Sequence, residues 1–269
     1  MDAPRRVALL VTCIVDQLMP EVGVATVKLL RRAGCQVSFP GQQTCCGQPF
    51  FNSGFRKQAQ ELAMRTVEIF ENEDLVVLPS GSCTSMIRAE YPHLLADQHG
   101  WSERAERLAA KTFELSEFLV HQARWTPRPG GSPGKTAAIS PAANPEDAME
   151  DVGLSVENKR PAVTYHDSCH MCRYLKLKEE PRQLLKDADF SLHEMTEADR
   201  CCGFGGLFTL RMPEVSNAMT AEKLRLASVS GANTIVTADP GCLMQMRQLS
   251  ANTGLEINHL AVILEEATR

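Results

Sequence analysis

The sequence contains no apolar run near the ~20 residues that a membrane-spanning helix needs. Its longest candidate, Val7 to Val15, is broken by Thr12 and Cys13 and stops at Asp16. Arg5 and Arg6 precede it as in a secretion signal, yet Asp16 and Gln17 stand where a small-residue cleavage site belongs. A soluble cytoplasmic protein is the expectation. Aromatic residues are sparse, at 6%, and 28 Lys and Arg face 33 Asp and Glu with no basic run, for a formal net charge of −5. That balance excludes nucleic acid as the main partner. There is no Walker loop and no G-x-G-x-x-G after a first strand, so neither ATP nor a Rossmann-type dinucleotide is expected. Gly203-Phe204-Gly205-Gly206 starts like that fingerprint but follows the second strand of its half. Cysteine is scarce by the standard of a disulfide scaffold: ten in 269 residues, against ~8–10% in short secreted frameworks. A chain this long needs no covalent staples. Hydrophobic residues at 43% and charged residues at 23% are ordinary for a globular protein, which excludes collagen-like, coiled-coil and wholly disordered chains.

What is present is a pattern in those cysteines. Cys13, Cys45 and Cys46 recur as Cys169, Cys201 and Cys202, each 156 positions on, and Gly47 recurs as Gly203. Cys83 and Cys242 match at a shift of 159. Each half therefore carries a single Cys, then Cys-Cys-Gly, then a final Cys. The surroundings repeat as well: RRVALLVT precedes Cys13 as PAVTYHDS precedes Cys169, and DLVVLPSGS precedes Cys83 as NTIVTADPG precedes Cys242. Matched spacings inside matched local patterns define an internal duplication.

Between the halves, residues 126–145 hold Pro127, Pro129, Pro133, Pro141 and Pro145 with Gly130, Gly131 and Gly134, followed by Glu146, Asp147, Glu150 and Asp151. Such a stretch buries too little apolar area to offset its ordering entropy. The expected organisation is a first half over 1–125, a flexible linker over 126–160 and a second half over 161–269. In the first half the patterns predict strands at 5–12, 36–39 and 75–78. Helices are expected near 18–33 and 55–71, after Cys83, and over 103–121. The helix at 55–71 carries an apolar stripe of Ala59, Leu62, Ala63, Val67 and Phe70, and that at 103–121 one of Ala105, Leu108, Leu115 and Leu119. In the second half strands are expected at 162–166, 190–195, 234–237 and 255–258. Its helices are expected at 171–186 (broken near Pro181), 213–229 and 241–251, with a last helix turning Leu260, Ile263 and Leu264 inward. Strands alternating with helices predict α/β architecture: two pseudo-symmetric units, each a parallel sheet flanked by helices.

In an open parallel sheet, ligands gather beyond the carboxyl ends of the strands. Cys13 and Cys169 follow the first strand of their halves, Cys83 and Cys242 the third, and the doublets the second. Four thiols from three loops would meet at one rim, the ligand type that iron–sulfur clusters use. Gly47, Gly203, Gly205 and Gly206 let backbone N–H groups approach sulfur, with Gly81 and Gly241 placed to do the same before the last cysteine of each set. Adjacent cysteines tend to diverge, so a distorted cluster or a bridging thiolate is open. Structural zinc is the competing metal, though only Cys169–Cys172 has the short spacing zinc sites favour. Thiol–disulfide exchange through Cys45-Cys46 or Cys201-Cys202 is a third reading.

The stretches VTCIVDQL (11–18), GCQVSFPGQQTCCGQPFFNSG (34–54), PSGSCTSMIR (79–88), YHDSCHMCR (165–173) and RCCGFGGLFTLRM (200–212) resemble the cysteine-rich CCG-domain family. That family includes the catalytic subunit of heterodisulfide reductase and the iron–sulfur subunits of glycolate oxidase and glycerol-3-phosphate dehydrogenase, and the likeness is greatest to its lactate-utilization members. The resemblance covers nearly the whole chain except the linker. It implies an iron–sulfur electron-transfer subunit of an NAD-independent complex that oxidises L-lactate to pyruvate. It also implies one or two 4Fe-4S clusters per chain, held by Cys13, Cys45, Cys46 and Cys83 and by Cys169, Cys201, Cys202 and Cys242. The partners implied are a larger ferredoxin-type iron–sulfur protein and a third small subunit. The iron–sulfur subunit of a related 2-hydroxy-acid (glycolate) oxidase and a zinc-binding or thiol-redox scaffold are the alternatives. The chain departs from the heterodisulfide reductase pattern, which ends each block in Cys-x-x-Cys, by placing Ser80 and Asp239 at the earlier position.

Other residues have plainer readings. Cys35 has no counterpart in the second half and reads as a buried apolar residue. Cys172, one turn after Cys169, either reaches the second centre or fills a helix's inner face. His166 and His170 flank Cys169; imidazole replaces thiolate in some iron–sulfur centres, but a hydrogen bond to a ligand, or packing, is the simpler expectation. Asp167 is placed to cap the following helix. No substrate-carboxylate motif is recognisable, so lactate is expected on a partner.

Overall fold

The computed structural model describes residues 5–127 and 160–269. The expected linker, apart from Thr126, Pro127 and Arg160, lies outside the described residues. In the first unit the strands are β1 (Arg6–Leu9), β2 (Gln36–Ser38), β3 (Val76–Leu78) and β4 (Thr112–Glu114). In the second they are β5 (Ala162–Tyr165), β6 (Ser191–Leu192), β7 (Thr234–Thr237) and β8 (Glu256–His259). All pairs are parallel, and the two sheets have the same order, β2-β1-β3-β4 and β6-β5-β7-β8. β3 and β7 are buried at every position, as strands covered by helices on both faces must be.

The first unit's helices are α1 (Cys13–Leu18), α2 (Pro20–Arg32), α3 (Gln48–Asn52), α4 (Arg56–Phe70), α5 (Gly81–Ser85), α6 (Tyr91–Leu94), α7 (Trp101–Ala110) and α8 (Leu115–Glu117). The second unit adds α9 (Glu179–Asp187), α10 (Leu207–Arg211), α11 (Pro213–Val229), α12 (Pro240–Leu249) and α13 (Leu260–Ala267). Ala59, Ala63, Val67 and Phe70 of α4 are buried as their spacing predicts, whereas Leu62 is only half-buried.

Three local readings need correction. The helix expected over 103–121 is two helical segments with a strand between them. α7 stops at Ala110, β4 pairs with β3 through Val76↔Thr112 and Leu78↔Glu114, and α8 then leads into a π-helical turn, Phe118–Gln122. Ala105, Leu108, Leu115 and Leu119 are all buried, so a stripe of helical spacing was produced by two elements with a strand between. The break expected near Pro181 falls earlier: a π-helical turn, His170–Leu175, ends at Lys176 with φ 61°. Pro181 is the third residue of α9, where a missing N–H leaves no intrahelical bond unmade. The strand expected at 190–195 pairs only over Ser191–Leu192.

The two units share one body. α2 packs against α13, and a single hydrophobic core runs from Leu9 and Leu30 through Val163 to Ile235 and Leu264. A second core, with Phe70, Met86, Ile87 and Tyr91, fills the other side of the first sheet. Polar ties cross the same interface: Arg32 donates to Glu265 O at 3.0 Å and Thr268 Oγ1 at 2.8 Å. The Met171 side chain packs so close to Gly81 that a Cβ there would sit 2.1 Å from Met171 Cγ.

Candidate metal centre

The strand order explains why the cysteines meet. The chain leaves β1 toward β2 on one side, then crosses back to β3 on the other, so β1 and β3 flank the switch point where their loops part. Cys13 follows β1 and Cys83 follows β3; in the second sheet Cys169 follows β5 and Cys242 follows β7. Thr12 turns the chain into the crevice with φ 74° and ψ 149°, a region that a β-branched residue enters only under strain. Cys83 lies in the first turn of α5 and Cys242 in that of α12.

Each doublet spans its crevice, one thiol toward each flank. Cys45 lies near enough to the thiols of Cys13 and Cys46 for both to favour its ionised form, while Cys46 Sγ lies 3.3 Å from Cys83 Sγ. The second half repeats this, with Cys201 against Cys169 and Cys202 against Cys242. Backbone N–H groups donate to the same sulfurs: Gly47 to Cys45 at 3.4 Å, Gly203 to Cys201 at 3.5 Å and Phe204 to Cys202 at 3.4 Å. The thiol protons of Cys13 and Cys46, helped by Gly47 N–H, hold Cys45 down at about 3. Cys169, Cys202 and Gly203 hold Cys201 at about 2. Their donors Cys13, Cys46, Cys169 and Cys202 are pushed up correspondingly. Each half thus gathers converging sulfurs that favour ionisation at one of them, the soft donor set that metals such as zinc and iron–sulfur clusters take.

All eight paired cysteines line one cavity of about 100 Å³ between the two units. Cys35 and Cys172 do not. Cys35 belongs to the hydrophobic core. Cys172 is buried on the π-helical turn, its Sγ 3.9 Å from Cys169 O.

Ser80 and Asp239, at the positions that depart from Cys-x-x-Cys, have other tasks. Ser80 Oγ accepts from Cys83 N at 3.3 Å and caps α5. Asp239 accepts from Gly241 N at 3.3 Å, capping α12, and reaches across the units to Ser82, accepting from its N at 2.9 Å and its Oγ at 3.1 Å. Gln48 makes a second cross-link, donating to Ser82 O at 3.0 Å and lying 3.2 Å from His170 Nε2. Asp167 does not cap a helix: it pairs with Arg182 through both carboxylate oxygens, at 2.8 and 3.0 Å. These cross-unit roles carry no local sequence signal, because they depend on residues about 157 positions apart being brought together.

The second half also buries groups that the first does not. His166 lines the cavity, and one of its ring nitrogens with Cys202 Sγ and Cys242 Sγ forms a trio within 4.8 Å. Burial, with Lys223 nearby, holds its imidazole neutral, down at about 3. Lys223 is itself fully buried, donating to Glu197 O and Ala198 O at 3.0 and 2.7 Å, and burial lowers it to about 8.

Fold and site together define a duplicated cysteine-rich α/β protein with one thiol-lined crevice shared by its two units. The chain belongs to the CCG cysteine-rich domain family, whose domain matches residues 7–88 and again 163–247. Among its relatives, Lactate utilization protein A of Bacillus licheniformis is 39% identical over 96% of this chain and 98% of its own length. The protein of the same name from Bacillus subtilis is 38% identical over the same shares. That of an Exiguobacterium species is 40% identical over 98% of each chain. The fold alone is shared with a hypothetical protein from Helicobacter pylori, at TM-score 0.63 and 8% identity, over 99% of this chain and 49% of that one. Among the described residues no helix is long and apolar enough to cross a membrane.

Proposed function

We propose that this chain is the small iron–sulfur electron-transfer subunit of a cytoplasmic, NAD-independent complex that oxidises L-lactate to pyruvate. The observation that carries the reading is the pair of thiol sets, built by the same strand order in both units, that open on one cavity. Relatives covering nearly the whole chain bear the name Lactate utilization protein A. In this reading Cys13, Cys45, Cys46 and Cys83 hold one 4Fe-4S cluster and Cys169, Cys201, Cys202 and Cys242 a second, within halves 1–125 and 161–269 joined by the linker 126–160. The clusters, when bound, carry electrons one at a time. The chain's own part is to fix eight sulfurs at the ends of two sheets and to aim the N–H groups of Gly47, Gly203 and Phe204 at them. Such N–H donation favours the reduced, more negative state of a centre.

Lactate itself belongs on a partner. Among the described residues the cavity wall has no arginine or lysine to clamp a carboxylate. The partners in this reading are a larger ferredoxin-type iron–sulfur protein and a third small subunit. The test is anaerobic mixing of the reconstituted chain with L-lactate. The visible absorbance should stay unchanged with the chain alone and bleach once both partners are added. Bleaching of the chain alone would move the substrate site here, and no bleaching with both partners would contradict the lactate reading.

A further inference from the structure

His166 is 1% exposed, and neither of its ring nitrogens makes a well-formed hydrogen bond: the nearby Ala198 carbonyl already accepts from Asp167 N at 2.9 Å and Lys223 Nζ at 2.7 Å. Buried polar groups almost always find one, because an idle donor or acceptor in the interior forfeits its bond to water. The other fully buried histidine shows the rule: His259 Nδ1 accepts from Ala261 N at 3.1 Å, and its Nε2 lies 3.2 Å from Pro79 O. His170, on the same cavity wall as His166, is also provided for, with Nε2 at 3.2 Å from Gln48 and Nδ1 at 3.7 Å from Cys169 Sγ. Only the His166 ring is left idle, and it is aimed into the cavity with one nitrogen, Cys202 Sγ and Cys242 Sγ inside 4.8 Å of one another. That is the spacing of donors able to share one metal ion.

Among the described residues the first half has no histidine at the matching place. The shift of 156 that relates the doublets puts Leu10 opposite His166, buried and apolar. We infer that His166 supplies an imidazole nitrogen to the iron centre of the second half, beside Cys202 and Cys242, a donor that the first half lacks. The inference rests on the iron–sulfur reading above and adds that the two centres are chemically unequal. An imidazole added beside the thiolates changes the ligand set of one centre only, so the two centres differ in potential.

The test uses the full-length protein, labelled with 15N-histidine, reconstituted anaerobically with iron and sulfide, reduced with dithionite and examined by pulsed EPR. A strongly coupled histidine nitrogen is expected in the unsubstituted protein and in His170→Asn, and its loss is expected in His166→Leu. In a potentiometric titration His166→Leu should move one redox step and leave the other in place. Its metal-free form should unfold at the same or a higher temperature, since it gives up no hydrogen bond. Where the leucine variant does not fold, His166→Gln carries the same expected loss of coupling. Coupling that survives His166→Leu, or its absence from protein that carries iron and sulfide, overturns the assignment. Protein that takes up neither iron nor sulfide is a separate result, the failure of the iron–sulfur reading itself.

Discussion

At the scale of single residues, the site depends on thiols that reach in opposite directions from one doublet. Cys46 bridges toward Cys83 and Cys202 toward Cys242, so neither has a substitute in its own half. Cys46→Ser and Cys202→Ser should each lower iron and acid-labile sulfide by roughly half, leaving the other half loaded, as metal analysis of the two variants would show. Gly203 is as tightly constrained. Its φ is 94°, and a Cβ there would stand 2.4 Å from Ser216 O, a backbone atom of α11. Gly203→Ala should destabilise even the metal-free protein by about 2–4 kcal/mol, read from its urea midpoint. The eight cysteines were legible in the sequence because their spacing repeats. The idle ring of His166 was not, since it exists only once β5, β7 and the second doublet are assembled around it.

At the scale of elements, the sequence announces what has its own punctuation. β8 was legible because Gly254 sets it off from the end of α12, and α11 because Pro213 opens it. No Gly or Pro separates α7 from β4, and the four buried side chains on either side of that boundary mimic one helix. Pairing with β3, a tertiary effect, decides in favour of a strand. The caps of α5 and α12 make a further contrast. Ser80 caps only its own helix, whereas Asp239 caps α12 and also holds Ser82 of α5. Ser80→Ala should cost about 1 kcal/mol. Asp239→Ala should cost more, about 2–4 kcal/mol, because it also leaves the half-buried Ser82 N without its acceptor. Equal losses in denaturant titrations of the two variants would contradict the cross-unit role of Asp239.

At the scale of the whole molecule, the shared cavity exists only while the two units stay docked, and α13 is the main fastening. Glu265, 3% exposed, receives Arg269, Lys28 and Arg32. Arg269 foremost, then Lys28, holds its carboxyl down at about 2, below the ordinary 4.5. A folded-state value below the unfolded one means stabilisation that is full above pH 4.5 and is lost as pH falls toward 2. Glu265→Gln should therefore lower stability at pH 7 by about 1–2 kcal/mol, discounted for the exposed partners. The difference should shrink between pH 4.5 and 2, and a constant difference across that range would place the loss elsewhere. Duplication made the architecture readable from the sequence, but the docking of α2 on α13 was not, since it joins residues more than 230 positions apart. The central claim, that this docked pair of cysteine-rich units carries iron–sulfur clusters, is tested most directly by one measurement on protein purified without oxygen. Iron, acid-labile sulfide and zinc are determined together with the visible spectrum. The account predicts iron and sulfide in comparable amounts and a visible absorption that belongs to them. A colourless protein with zinc, or with no metal after anaerobic reconstitution, would contradict it.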